Sequence, residues 1–193
     1  SRIAVGYDDA PKVDILSAKT LDKLYSPNTD DFSEYDFSKV TFSSDGAYLY
    51  AGGTCQKLFG REWKNIIRKW NLKSNSYVDI PVSNDVIMHL LPLRDGGVVF
   101  GTGEPSFGIV DASGRLALYK GNEIADLRGQ HDVFQVSYDG SVVKFGYEQW
   151  GKTPVVFDAE KREFIDESSV RLLKPITQMQ GIETVSYTHL RAH

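Results

Sequence analysis

The chain has 193 residues, of which 25% are charged and 41% hydrophobic, and its formal net charge at pH 7 is −4. A negative chain without a basic run offers no electrostatic footprint for the phosphate backbone, so we expect no nucleic-acid partner. No apolar stretch approaches the roughly 18 residues that span a bilayer, so we expect no membrane partner either. The single cysteine excludes an internal disulfide and is compatible with a reducing compartment such as the cytoplasm.

A strand–turn–strand pattern recurs along the chain about every 45 residues. It reads KVTFSSDGAYLYAGG at 39–53, MHLLPLRDGGVVFGTG at 88–103 and VFQVSYDGSVVKFGY at 133–147. Each copy is an apolar run, a turn that ends in Asp-Gly, and a second apolar run followed by glycine. Asp-Gly suits a hairpin because glycine adopts positive φ without steric cost. The pattern therefore predicts three β-hairpins in one register.

A second landmark follows each hairpin in the same register and also occurs once before the first hairpin. A third apolar run ends at a short polar residue in four places: Ser17, Asn71, Asp111 and Asp158. Such side chains accept hydrogen bonds from the backbone of their own turn, and this ends the strand. The runs that come next predict fourth strands at 21–25, 76–82, 115–121 and 162–167.

Repeats of four short strands at this spacing are typical of a β-propeller. The first copy begins at its second strand, so we predict an all-β propeller of about three and three-quarter blades of four antiparallel strands, in an incomplete ring. The predicted limits are a partial blade at 1–36 and blades at 37–84, 85–130 and 131–167. Residues 168–184 are a linker or the start of another blade. The alternative architecture is a β-sandwich of two face-packed sheets.

Two strings resemble divergent WD repeats: TFSSDGAYLYAGG and IIRKWNLKSNSY. In that family F-S-x-D-G opens a blade and a Trp-Asp pair ends its third strand. The resemblance covers 2–167, with Trp70 at the Trp position and Asp111 and Asp158 at the Asp position. It implies a propeller fold and a role in protein interaction, within a larger bacterial scaffold or regulatory protein.

The C-terminal string VSYTHLRAH (185–193) resembles translated sequencing-adapter sequence, so we interpret it as non-native. The alternative is a short native strand or helix end. The interpretation removes His189 and His193 as candidate ligands. The remaining histidines, His89 and His131, are ordinary strand-end residues in this interpretation, and we predict no metal site and no cofactor.

The connections between second and third strands, and those between blades, are long and share one rim of a propeller. We call the segments 7–11, 26–38, 53–65, 101–106 and 147–152 the loop rim. Loops on a rigid scaffold commonly carry binding residues, and aromatic anchors among charges are typical of interfaces. The candidate binding residues are Tyr7, Asp8, Asp9, Asp30, Asp31, Glu34, Asp36, Trp63, Glu104, Glu148 and Trp150. The alternative is that the aromatics cover blade ends and the acids are merely solvated, as we expect for the cations Arg61, Lys64 and Lys69 on an exposed hairpin.

No nucleophile elbow, zinc-ligand spacing or phosphate loop occurs in the sequence. We therefore predict a non-enzymatic protein-interaction module that binds a protein partner, with a basic partner favoured by the rim acids. In the parent protein, the chain would also contact the rest of its own propeller. The alternatives are a lactonase-like propeller hydrolase and a propeller that captures a small ligand or glycan.

Overall fold

The computed structural model describes residues 1–104, 106–121, 134–137, 140–145, 155–166 and 183–184. All regular secondary structure in these ranges is β-strand, and it forms four sheets. The first sheet contains β1 (Arg2–Gly6), β2 (Val13–Ser17), β3 (Lys23–Tyr25) and the two-residue β17 (Glu183–Thr184). The second contains β4 (Lys39–Phe42), β5 (Tyr48–Gly52), β6 (Gln56–Phe59), β7 (Glu62–Asn71) and β8 (Tyr77–Ser83). The third contains β9 (Ile87–Pro92), β10 (Val98–Thr102), β11 (Ser106–Val110) and β12 (Leu116–Gly121). The fourth contains β13 (Phe134–Val136), β14 (Val142–Phe145), β15 (Val155–Asp158) and β16 (Glu163–Ile165).

The predicted fold class is confirmed. β1–β3, β4–β8, β9–β12 and β13–β16 form blades 1 to 4, each an antiparallel meander, in an incomplete propeller ring. β17 adds a parallel pairing to β1 at Ile3 and Ala4. The residue limits given above for the blades stay a prediction, and the string 185–193 lies outside the described residues.

Three apolar clusters fill the spaces between successive blades. The first joins Val13 and Ile15 of blade 1 to Ile66 and Trp70 of blade 2, all with no exposed surface. The second lies between blades 2 and 3, and the third between blades 3 and 4. Neighbouring residues of a strand point to opposite faces, so alternate residues of β7 serve two different clusters. Burial between blades therefore holds the ring together, as is typical of repeat folds.

The Asp-Gly turns at Gly46 and Gly96 form as predicted, with one difference in their geometry, while Asp139 of the third turn lies outside the described residues. In the first, the Gly46 amide donates to the Ser43 carbonyl at 2.8 Å, and Gly46 has a φ of +69°. The Asp45 carboxylate accepts the Ala47 amide at 2.9 Å. Asp45 itself keeps a negative φ, so the turn is a four-residue type rather than a two-residue hairpin turn.

The polar residues that end the third strands act as predicted. Asn71 accepts the amides of Lys73 and Ser74 at 2.9 and 3.1 Å, and Asp158 accepts those of Glu160 and Lys161 at 3.0 and 2.8 Å. Ser17 and Asp111 make the corresponding bonds. Each turn then contains one residue with positive φ, in the order Leu21, Asn75, Gly114 and Arg162.

Two features of β7 differ from the expectation. Segment 53–65 does not stay a loop: β6 and the first half of β7 form a hairpin closed by Gly60 and Arg61, with Gly60 at a φ of +63°. Lys69, expected to solvate this hairpin, is instead buried between blades 2 and 3. Its ammonium donates to the Ala112 carbonyl and lies 3.9 Å from the Tyr48 ring centroid. Strand alternation places Lys69 on an inter-blade face, and burial there lowers its pKa.

Candidate interaction surface

The topology brings the described parts of the loop rim to one end of the blades. In an antiparallel meander, the link between second and third strands and the link to the next blade leave from the same end. The Asp-Gly turns and the turns between third and fourth strands occupy the other end, which we call the turn face. Segments 7–11, 26–38, 53–65 and 101–104 therefore form one surface.

Five of the predicted acids are exposed and without a charged partner. They form no ion pair with any residue in the described ranges, and they are Asp8, Asp9, Asp30, Glu34 and Glu104. The Asp30 amide donates to the Asn28 side chain at 2.9 Å, so the backbone at this point of the loop is ordered by its own turn. These five carboxylates give the rim an uncompensated negative charge.

Asp31, in contrast, is paired with a residue of the blade interior. Both of its oxygens accept hydrogen bonds from the Arg68 guanidinium, at 2.6 and 2.5 Å. Arg68 lies on β7 and is fully buried. Hydrogen bonds from Arg68 hold the pKa of Asp31 well below its usual range, against the opposing effect of burial. Asp31 therefore fixes the loop rather than presenting a free charge.

The Arg68 guanidinium is saturated. Its remaining N–H groups donate to the Asp79 carboxylate at 2.6 and 2.8 Å and to the Asn28 carbonyl at 3.2 Å. The Lys57 ammonium bridges both acids, at 2.6 Å from Asp31. Two cations and two anions make this group, the Arg68 cluster, neutral overall. Because a buried charge is tolerated when it is paired and fully hydrogen-bonded, the cluster can lie at the base of the rim.

Aromatic rings enclose the cluster. The Arg68 guanidinium carbon lies 3.9 Å from the Tyr77 ring centroid and 4.8 Å from that of Phe32. The indole N–H of Trp70 donates to the same Asn28 carbonyl at 3.1 Å. Cation–π contacts of this kind stabilise a desolvated guanidinium. The loop 26–38 is thus attached to β7 by its backbone and by a side chain.

Asp36 is the second predicted acid with a structural role. It is buried, and its carboxylate accepts the Ser38 amide at 3.0 Å and the Thr54 hydroxyl. A Cβ on Gly53 would lie 2.1 Å from this carboxylate, so only glycine lets the two segments approach. Asp36 joins the entry of blade 2 to the end of β5.

Tyr7 belongs to a third polar network, around Asp14. The buried Asp14 carboxylate accepts the Tyr7 hydroxyl at 2.8 Å and the Ser26 hydroxyl at 2.5 Å, with Lys12 and Lys23 each at 3.1 Å. Burial alone would raise the pKa of Asp14, but these donors lower it to about 2. Burial, and then the bond to Asp14, raises the pKa of Tyr7. Tyr7 is therefore a half-buried support for the rim.

Trp63 is 60% exposed on the hairpin of β6 and β7. It pairs directly across the hairpin with Leu58, which is 55% exposed, so the two form one apolar surface. Phe59 points to the opposite face and packs against the cluster between blades 1 and 2. The hairpin is thus anchored on one face and presents Leu58 and Trp63 on the other.

Glu148 and Trp150 lie outside the described residues, so their placement stays a prediction. Within the described ranges, no three His, Cys, Asp or Glu side chains are grouped to hold a metal ion. No helix in those ranges is long and apolar enough to cross a membrane. Cys55 is buried, and burial raises the pKa of its thiol.

The sequence interpretation missed Arg68, Asp79 and Lys57. One signal was available. Arg68 lies two residues from both Ile66 and Trp70, so in a strand the three side chains share one face, and a guanidinium stands among apolar groups. A buried cation requires anionic partners, which long-range pairing supplies. Nothing local in the sequence identifies Asp31, 37 residues earlier, as one of them.

Comparison with solved structures finds the same propeller fold in a WD40 domain. The WD40 domain of Neurospora crassa Pan2 superposes with a TM-score of 0.54 at 15% sequence identity, over 81% of this chain and 46% of that domain. The chain therefore spans about half the length of its structural neighbour, and the likeness concerns the fold alone. In all, 287 solved chains match, and a fold shared so widely does not assign a function. No protein-family model and no curated protein sequence matches the chain.

Proposed function

We propose that this chain is a non-enzymatic protein-interaction module whose loop rim binds a partner protein through basic side chains. The observation that carries the proposal is the combination on one surface of exposed acids, unpaired among the described residues, with the exposed pair Leu58 and Trp63. Charge complementarity steers association, while buried aromatic residues supply most of the binding free energy.

The Arg68 cluster supports this proposal because it holds the rim in one conformation. Loop 26–38 and the hairpin both attach to it, through Asp31 and Lys57. A preorganised surface loses less conformational entropy on binding than a mobile one. The chain would act as one part of a longer propeller protein, with the blade limits predicted from the sequence.

The test is an affinity capture with the chain as bait, compared between wild type and Trp63→Ala. Tyr119→Ala is the matched control, because Tyr119 is a 41% exposed aromatic residue on the outermost strand of blade 3. We expect a protein that is retained by the control and lost with Trp63→Ala, and that rebinds the purified chain directly. Equal retention by both variants would contradict the proposal, and hydrolase activity of the purified propeller would favour the enzyme alternative.

A further inference from the structure

A cleft of about 390 Å³ opens on the turn face, where blades 3 and 4 meet. The Asp-Gly turn of blade 3 supplies Arg94 and Asp95, and the two turns of blade 4 supply Gly140, Glu160 and Arg162. Its volume falls within the range of about 300–1,000 Å³ that small-ligand sites occupy. The cleft lies at the opposite end of the blades from the loop rim.

The walls of the cleft are fixed by backbone contacts. Gly140 lies so close to blade 3 that an added Cβ would be 2.3 Å from the backbone nitrogen of Arg94. The Arg162 amide donates to the Asp158 carbonyl at 2.8 Å, which closes the turn that carries Glu160 and Arg162. Asp95 is occupied by its own turn, since it accepts the Gly97 amide at 2.9 Å. The two arginines are therefore presented from rigid turns on two different blades.

The cleft lining carries two arginines, Arg94 and Arg162, and two carboxylates, Asp95 and Glu160, so its charges balance in number, but the structure describes no hydrogen bond between the two sets. The Arg94 guanidinium lies 3.9 Å from the Glu160 carboxylate, which is longer than a hydrogen bond, and both side chains are about two-thirds exposed. Arg162 forms no ion pair with any residue that the structure describes. The neighbouring Lys161, in contrast, pairs with Asp158 at 3.5 Å. Two guanidinium groups that form no hydrogen bond with a described residue thus line one cavity.

The fold itself does not require cations at these positions. At the junction of blades 2 and 3 the corresponding turn residues are Ser44 and Gly114. That junction is closed instead by direct bonds, from the Ser44 hydroxyl to the Arg94 carbonyl and from the Tyr50 hydroxyl to the Gly96 carbonyl, each at 3.1 Å. The pair of arginines is therefore particular to the junction of blades 3 and 4.

We infer that this cleft binds a carboxylate side chain of an acidic peptide segment, held between Arg94 and Arg162. Guanidinium groups bind carboxylates through paired N–H donors, and a carboxylate of this chain, Glu160, already lies beside one of them. The cavity is larger than a single inorganic anion, so it accommodates the side chain together with its peptide backbone. This second site is independent of the loop rim, and its partner has the opposite charge.

The experiment is an isothermal calorimetric titration of the full chain with a terminally blocked tetra-glutamate peptide. We expect Arg94→Gln and Arg162→Gln each to weaken binding about tenfold, because each removes a charge-assisted pair. Glu160→Gln removes the competing internal carboxylate and should strengthen binding by about two- to fivefold. Arg115→Gln is the matched control, since Arg115 is an exposed arginine on the same face, outside the cleft.

Three results would overturn the inference. One is peptide binding that both arginine substitutions leave unchanged. Another is a loss that Arg115→Gln reproduces, because binding would then follow net charge rather than the cleft. The third is inorganic phosphate binding as tightly as the peptide, which would show that the cleft does not select a carboxylate segment. Circular dichroism melting of each variant confirms folding, and these exposed substitutions should leave it unchanged.

Discussion

Arg68 on β7 and Asp31 in the loop between blades 1 and 2 form a two-point ion pair, with nitrogen–oxygen distances of 2.6 and 2.5 Å. Because Arg68 is fully buried while the Asp31 side chain is 31% exposed, the pair connects the blade interior to the rim surface. The loop therefore has its conformation set by a strand of blade 2. This contact explains how a thirteen-residue irregular segment, 26–38, can present a fixed surface.

We predict that Arg68→Met lowers the free energy of unfolding by about 3–5 kcal/mol, because it leaves Asp31 and Asp79 without their main partner. Denaturant unfolding of the purified chain measures the loss. The control is the triple variant in which Asp31→Asn and Asp79→Asn accompany Arg68→Met. It should recover part of the stability, since it removes the uncompensated charges. A single variant as stable as wild type would mean that the cluster contributes nothing.

The hydrogen bonds and ion pairs of Asp14 predict that the free energy of unfolding depends on pH in the acid range. The pKa of Asp14 is about 2 in the folded chain, below its ordinary value of 3.8. A lowered folded-state pKa stabilises the fold above the unfolded value, and this stabilisation is lost as pH falls from about 4 to about 2. Its size is about 2 kcal/mol.

Asp14→Asn should therefore reduce stability at neutral pH and reduce the acid dependence between pH 4 and 2. Urea unfolding at several pH values measures both effects. Asp8→Asn, at an exposed acid that pairs with no described cation, is the control and should follow the wild-type curve. A curve for Asp14→Asn that runs parallel to wild type would show that Asp14 does not titrate as inferred.

The parts of this fold that were predictable from sequence are those encoded locally. Asp45 with Gly46, and Asn71, each bond to backbone within a few residues, so their spacing alone indicates the turns. The hairpin of β6 and β7 was missed because it is an addition to blade 2 that the four-strand repeat of the other blades does not contain. The Arg68 cluster was missed because its partners come from three separate segments. In the candidate site, the sequence does not predict which acids are free and which are paired. Asp30 is exposed to solvent, whereas the adjacent Asp31 is paired with Arg68.

Leu21 offers a stabilising substitution. It is 63% exposed and has a φ of +62°, a left-handed conformation that costs a non-glycine residue roughly 1–2 kcal/mol. Leu21→Gly removes that cost but raises the entropy of the unfolded chain, so we expect a net gain of about 0.5–1 kcal/mol.

The matched control is Leu24→Gly, because Leu24 is similarly exposed but lies in β3, where glycine weakens the strand. Thermal melting should move upward for Leu21→Gly and downward for Leu24→Gly. Asn75→Gly, in the equivalent turn of blade 2, should give a smaller gain, since asparagine tolerates this conformation. Equal losses at Leu21 and Leu24 would contradict the assigned turn geometry.

The exposed rim acids should control the association rate of the proposed partner. Asp8→Asn, Asp30→Asn and Glu34→Gln together leave the Arg68 cluster intact, because none of the three contributes to it. We expect the association rate constant at low salt to fall by about tenfold, with little change in dissociation, because exposed charges act mainly through steering. The association rate constants of the wild type and of this triple variant should converge at high salt, where screening removes the electrostatic attraction. The control variant carries Asp22→Asn, Asp45→Asn and Glu163→Gln, which change the net charge equally on the turn face and outside the cleft. Surface plasmon resonance with the protein identified by affinity capture measures both rate constants, and an equal slowing by the control would assign the effect to net charge rather than to the rim.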